Sequence, residues 1–159
     1  MCSALASLMP ELPEVEQARR YLAAKAMNRR MGSVEVLDVG VLQGVEPNAF
    51  SSSLAGRTMT TAARRGKQMF IGLDDGTFLT IHLGMTGDLV GDGPEPRFCR
   101  IVFRFEDGTN LFYVDQRKFG AVGIAVSIEQ FVAEHGLGPD ALTIDRHDFI
   151  AGRLGTRRR

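Results

Sequence analysis

Cysteine is nearly absent: the 159 residues hold only Cys2 and Cys99. Two thiols are too few for a disulfide framework and cannot by themselves supply the four ligands of a structural zinc site. Long apolar runs are missing too, since no stretch approaches the ~20 apolar residues that a membrane-spanning helix needs. The opening MCSALASLMP has no basic start and too short an apolar segment for a secretory signal. The expectation is therefore a cytoplasmic protein with no membrane partner. Net charge is also lacking. The chain's 19 Lys and Arg balance 19 Asp and Glu, so bulk charge alone does not point to nucleic acid. Internal repeats and low-complexity tracts do not occur. What is present, 44% apolar and 24% charged residues, is the composition of an ordinary globular protein. One domain is expected at this length, burying about 68–70% of the surface its unfolded chain exposes.

Lysine is the scarce cation. Only Lys25, Lys67 and Lys118 stand beside 16 arginines, and arginine's planar fork suits phosphate. Charge is also uneven along the chain. Arg57, Arg64, Arg65 and Lys67 lie between Ala55 and Leu73 with no carboxylate among them. Arg97, Arg100 and Arg104 form a second acid-free run, and Arg153, Arg157, Arg158 and Arg159 a third. A solvated surface and a phosphate-binding face are both open readings of this pattern.

Pro13 marks a helix start, with Glu14 and Glu16 in the first turn, where carboxylates suit the helix dipole. Val15, Ala18, Leu22 and Ala26 continue a helical stripe, which predicts a helix from about Pro13 to Met27. A strand is expected over Val34 to Val39 and a short helix from Pro47 to near Gly56. The centre is β-rich. Gln68 to Leu73 and Thr77 to Leu83 flank the turn Asp74-Asp75-Gly76, and Phe98 to Phe105 alternates apolar with polar. Asp107-Gly108 then leads into Leu111 to Val114, and Ala121 to Val126 follows. Gly91 to Pro96 reads as a loop. Ser127 with Gln130 reads as a capping box for a helix that Gly136 ends. One helix followed by many strands predicts an α+β domain, a two-layer antiparallel β-sandwich flanked by helices. Asp145 and Asp148 mark a further helix start, carrying Phe149, Ile150 and Leu154, that reads as the beginning of a second module.

The stretch richest in chemistry is Met9-Pro10-Glu11-Leu12-Pro13-Glu14-Val15-Glu16. Taken alone it is a proline-broken entry into a helix. Three further motifs follow it: Arg64-Arg65-Gly66-Lys67, then His82-Leu83-Gly84-Met85-Thr86-Gly87, then Asp115-Gln116-Arg117-Lys118-Phe119-Gly120. A fifth segment, Leu137-Gly138-Pro139-Asp140-Ala141-Leu142, comes after them; it resembles the linker that follows the N-terminal domain of the family to which the motifs point. In this order the motifs resemble the formamidopyrimidine-DNA glycosylase and endonuclease VIII family, and the resemblance runs from Met9 to Arg159.

That resemblance implies DNA base-excision repair. The family removes oxidised bases and cleaves abasic sites by β,δ-elimination, through a Schiff base on an N-terminal proline exposed by loss of the initiator Met. The proline amine attacks C1′ of the damaged nucleotide. An α-amino group titrates at about 8 against about 10.4 for lysine, so more of it is the free nucleophile near neutral pH. Pro10 corresponds to that amine, and Glu11 to the acid that protonates the sugar oxygen and then shuttles protons. Glu14 corresponds to a second carboxylate, with a role as helix-dipole partner standing equally open. Lys67 and His82 correspond to phosphate contacts; their plain alternatives are a solvated hairpin charge and a structural hydrogen bond. Met85, Arg117 and Phe119 correspond to the side chains that fill the duplex once the damaged nucleotide is extruded, a step that apolar wedges make cheaper. Taken alone, Met85 and Phe119 read as core residues, and Arg117 as a partner for Asp115.

The chain departs from the family pattern twice. Eight residues precede Met9, so Pro10 as written is an amide. Translation from Met9, processing that exposes Pro10, and a catalytically silent chain are the alternatives. The family also continues with a helix-two-turn-helix module and usually a cysteine zinc finger, whereas this sequence stops as that module begins. The expected organisation is an extension over 1–8, a catalytic domain over 9–142 and the start of the module over 143–159. No metal or other cofactor is expected in this chain, and damaged double-stranded DNA is the expected partner. The competing expectations are a truncated, non-catalytic DNA-binding remnant and a split enzyme completed by a second polypeptide that carries the missing module.

Overall fold

The computed structural model describes residues 11–137. Pro10, the extension before it, residues 138–142 of the linker motif and the expected helix start at Asp145 lie outside them. Helix α1 (Leu12–Ala26) places Leu12 and Pro13 in its opening positions, where proline's missing N–H leaves no bond unmade. Its N-cap is Glu11, extended and without a side-chain cap hydrogen bond. Glu14 lies in the first turn, while Glu16 falls beyond it. The expected stripe of Val15, Ala18, Leu22 and Ala26 is buried.

Among the described residues, eight strands form two antiparallel sheets. One has the order β1 (Met31–Val36), β6 (Cys99–Phe105), β7 (Asn110–Asp115), β5 (Gly87–Gly91). The other has the order β2 (Met59–Arg65), β3 (Gln68–Leu73), β4 (Phe78–His82), β8 (Ala121–Ala125). A single core joins them: Ile101, Phe103 and Tyr113 from the first sheet and Ile71, Leu79 and Ile81 from the second are all buried in it. Helix α1 and helix α2 (Pro47–Leu54) close this core with Leu22, Phe50 and Leu54. Strand β3 is buried along its whole length because both its faces are covered. Met69 and Ile71 face the shared core, while Phe70 meets Phe131 of α3 (Ile128–His135) edge to face at 5.2 Å. The architecture is α+β, as the sequence leads one to expect. Among the described residues no helix is long and apolar enough to cross a membrane.

Several local expectations shift. The first strand runs Met31–Val36 rather than reaching Val39, because Asp38 caps a 3-10 turn over Val39–Val41 and accepts the Gly40 N–H at 2.8 Å. Only half of the capping box forms at Ser127. Its Oγ accepts the Gln130 N–H at 3.1 Å, but the Gln130 side chain donates to Glu134 at 3.0 Å instead of turning back. Strands β2 and β5 carry no clear sequence signal. Each has one strongly buried large side chain, Met59 and Leu89 respectively, and each is held in place by its ladder.

Candidate active site and nucleic-acid interface

Strand pairing gathers the chemistry-bearing residues at one end of the second sheet. Gln68 pairs with both Arg65 and His82, and His82 pairs in turn with Ala121. The β2–β3 hairpin, the end of β4 and the start of β8 therefore lie side by side. Gly66 supplies the left-handed residue of the hairpin turn (φ +59°) that a side chain would disfavour. Beside it, Lys67 Nζ lies 3.1 Å from Glu11 Oε2, so the hairpin reaches the start of α1.

A second set of contacts fixes that approach. The Glu16 carboxylate accepts from Arg19 (2.8 and 2.9 Å), Arg20 (2.8 Å) and Arg64 (2.8 Å). Arg19 also donates to the Ala62 carbonyl at 3.0 Å, and Arg64 to the Gly66 carbonyl at 3.1 Å. Helix α1 is thereby bolted to β2 and its hairpin. The guanidiniums, Arg19 first and Arg64 next, hold the Glu16 carboxyl far below the usual carboxylate range. The Arg64 side chain is only 4% exposed. Its place in the sequence suggests a neighbour of Lys67 on a phosphate-binding face, but its guanidinium is a structural tie instead.

His82 is half-buried. Its Nδ1 accepts the Gly84 N–H at 3.1 Å, which assigns the proton of the neutral ring to Nε2. Burial pushes the imidazole below its ordinary pKa, and the positive charge of Lys67 adds to the shift. The ring is therefore neutral near pH 7 and presents an N–H donor that can serve a phosphate oxygen without carrying a charge.

Two loops make up the rest of the end. Asp115, at the close of β7, is fully buried. Its Oδ1 accepts from the Thr86 hydroxyl (2.6 Å) and the Lys118 N–H (3.0 Å); its Oδ2 accepts from the Tyr113 hydroxyl (2.9 Å) and the Gly120 N–H (2.9 Å). Thr86 in turn accepts the Arg117 N–H at 3.0 Å. The loops also touch through backbone, since a Cβ on Gly84 would stand 2.5 Å from Gly120 N and from the Phe119 carbonyl carbon. Outside them, Arg100 donates to the carbonyls of Asp115 (2.9 Å) and Gln116 (3.2 Å), while Lys118 reaches Asp38 at 3.2 Å.

The product is an exposed apolar and cationic tip. Phe119 is 55% exposed, and the Arg117 guanidinium lies 5.1 Å from its ring centroid. Met85 is half-buried on the facing turn. Phe119 is thus no core residue, and Arg117 does not pair with Asp115, whose oxygens are taken by other donors. The structure brings Glu11, Lys67, His82, Met85, Arg117 and Phe119 to one end of the domain. Glu14 is exposed on the first turn of α1, and Pro10 lies outside the described residues. Glu16, Thr86 and Asp115 are working residues that the sequence alone does not single out. Each sits inside a quoted motif, but only the fold shows which donors its oxygens meet. Among the described residues no group of three His, Cys, Asp or Glu could hold a metal ion.

Solved structures that share this fold include complexes of Lactococcus lactis Fpg with DNA. A complex of wild-type Lactococcus lactis Fpg (MutM) with DNA containing N7-benzyl-Fapy-dG superposes with a TM-score of 0.75 at 27% identity, covering 82% of this chain and 50% of that one. The same protein with DNA containing an abasic site gives 0.72 at 28% identity, over 79% and 47%. In sequence, the formamidopyrimidine-DNA glycosylase of Solibacter usitatus is 39% identical over 143 residues, 90% of this chain and 53% of the relative. The chain belongs to the family defined by the formamidopyrimidine-DNA glycosylase N-terminal domain, whose model matches residues 9–122. It spans about half the length of the curated relatives it matches.

Proposed function

We propose that this chain supplies the catalytic half of a base-excision repair enzyme, a DNA glycosylase with abasic-site lyase activity on damaged double-stranded DNA. One observation carries the reading: a carboxylate at the start of α1, a lysine, a neutral histidine donor and an exposed Phe–Arg tip share one end of the domain. In the proposed reaction the Pro10 amine, once exposed as the N-terminus, adds to C1′ of the damaged nucleotide. The C1′–N bond breaks, its electron pair leaves with the base, and the base gains a proton. Glu11 protonates the sugar oxygen as the ring opens, leaving an iminium on Pro10. Loss of a proton from C2′ expels the 3′ phosphate, a second elimination expels the 5′ phosphate, and water returns the amine. Glu14 is a second carboxylate near this chemistry. Lys67 and His82 hold phosphates, and Met85, Arg117 and Phe119 fill the gap in the duplex. The chemistry needs no cofactor, and the compartment is the bacterial cytoplasm, at the nucleoid. The grip on intact lesions is assigned to the half of the relatives that this chain does not span, whether it comes from the same gene product or from a second polypeptide.

Glu11→Gln tests the reading. Cleavage of an abasic-site duplex is expected to fall by about a hundredfold or more, the usual worth of a positioned acid–base group. Duplex affinity is expected to hold. The comparison uses chains that begin at Pro10: cleavage at the wild-type rate would remove Glu11 from the reaction, and cleavage undetectable in that wild type would favour the non-catalytic remnant.

A further inference from the structure

We propose that Thr86 is a positioning residue that sets the aim of Arg117 into the opened duplex, and with it the preference for the base opposite the lesion. The inference rests on the reading of Met85, Arg117 and Phe119 given above and adds a residue that acts through Arg117.

A hydroxyl has one proton to give and lone pairs to receive. The Thr86 hydroxyl gives its proton to Asp115 Oδ1 at 2.6 Å, the short distance of a charge-assisted bond, and receives the Arg117 N–H at 3.0 Å. It joins a buried carboxylate 29 residues away to a backbone amide 31 residues away. Other anchors hold the rest of the loop. Lys118 and Gly120 donate their own N–H groups to Asp115, and Arg100 holds the carbonyls of Asp115 and Gln116. Among the described residues, Thr86 is the only hydrogen-bond partner of the Arg117 amide. The Arg117 side chain is exposed and rests on the Phe119 ring, so its direction follows its backbone. Met85, one residue before Thr86, shares the same tie. Removing the hydroxyl leaves Asp115 with three donors and both loop ends in place, but releases the segment between them.

The test is equilibrium binding by the full chain of abasic-site duplexes with each of the four bases opposite, using wild type, Thr86→Val, Thr86→Ser and Arg117→Ala. A good base contact discriminates strongly, so Thr86→Val is expected to shrink the spread of affinities across the four duplexes by about fivefold or more, towards that of Arg117→Ala. Thr86→Ser keeps both bonds and is expected to keep the wild-type spread, an outcome that a role in packing the threonine methyl would not give. Should Thr86→Val not fold, Thr86→Cys, a weaker donor and acceptor of similar size, takes its place. A wild-type spread in Thr86→Val alongside a collapsed spread in Arg117→Ala would overturn the role of Thr86 and leave the wedge reading standing. A lost spread in a folded Thr86→Ser would also overturn it. No spread in the wild type, or none lost in Arg117→Ala, would overturn both.

Discussion

Lys67 Nζ stands 3.1 Å from Glu11 Oε2, so the cation assigned to a phosphate is already paired with the carboxylate assigned to proton transfer. Both side chains are substantially exposed, 40% and 55%, and an exposed pair of this kind is worth only about 0.2–1 kcal/mol. A DNA phosphate can therefore take Lys67 from Glu11 at little cost. In doing so it releases the carboxylate at the moment substrate arrives.

Lys67→Ala is expected to weaken binding to every duplex to a similar degree, whatever the sequence or opposing base. The slope of log K against log salt should flatten by about one unit. Titrations of matched and abasic duplexes across a salt series measure both quantities. A loss confined to one opposing base would show instead that Lys67 reads a base.

Glu16 should carry much of the tie between α1 and β2. Glu16→Gln removes the carboxylate that Arg64, whose side chain is 4% exposed, meets at 2.8 Å. Loss of one partner from so buried a pair is expected to cost about 3 kcal/mol in denaturant unfolding. The pH dependence has a definite sign. The folded-state pKa of Glu16 lies far below its ordinary 4.5, so the unfolded chain takes up the proton first. The contribution is whole above the ordinary value and is lost as pH falls from there towards the lowered folded value. Glu16→Gln should remove this part of the acid limb. A wild-type acid limb in that variant would assign it to other carboxylates.

For His82 the same linkage runs at a higher pH. Burial first, and then Lys67, lower the imidazole pKa from 6.5, so protonation favours the unfolded chain and stability declines as pH drops below that value. NMR titration of the ring should place its midpoint below 6.5, and Lys67→Ala should move it upward. A midpoint above 6.5 would mean that a carboxylate outweighs both burial and Lys67.

Much of this is legible in the amino-acid sequence. The stripe from Val15 to Ala26 set the face of α1, and Asp74-Asp75-Gly76 set the β3–β4 hairpin to within a residue. Strand β2 escaped because the run Met59-Thr60-Thr61-Ala62-Ala63-Arg64-Arg65 has little apolar alternation. It is a strand because β3 beside it is one. The site divides the same way. Lys67 and Phe119 are singled out only by the resemblance of their motifs, since by residue type alone they read as a solvated hairpin charge and a core residue. Asp115 is not singled out, because a buried aspartate and a solvated turn aspartate look alike in sequence. Their difference lies in four donors brought in from Thr86, Tyr113, Lys118 and Gly120. Arg64 misled for the complementary reason: its partner Glu16 is 48 positions away.

Pro10 is proposed as the attacking amine, next in the chain to Glu11, which meets Lys67 at this end of the domain. Borohydride trapping on abasic-site DNA, followed by mass spectrometry of the cross-linked peptide, tests that role most directly. A chain that begins at Pro10 is expected to give an adduct on the Pro10 nitrogen, weakened or lost in Pro10→Gly. An equally strong adduct from the unprocessed chain that begins at Met1, or one mapped to a lysine, would show that Pro10 is not the attacking group.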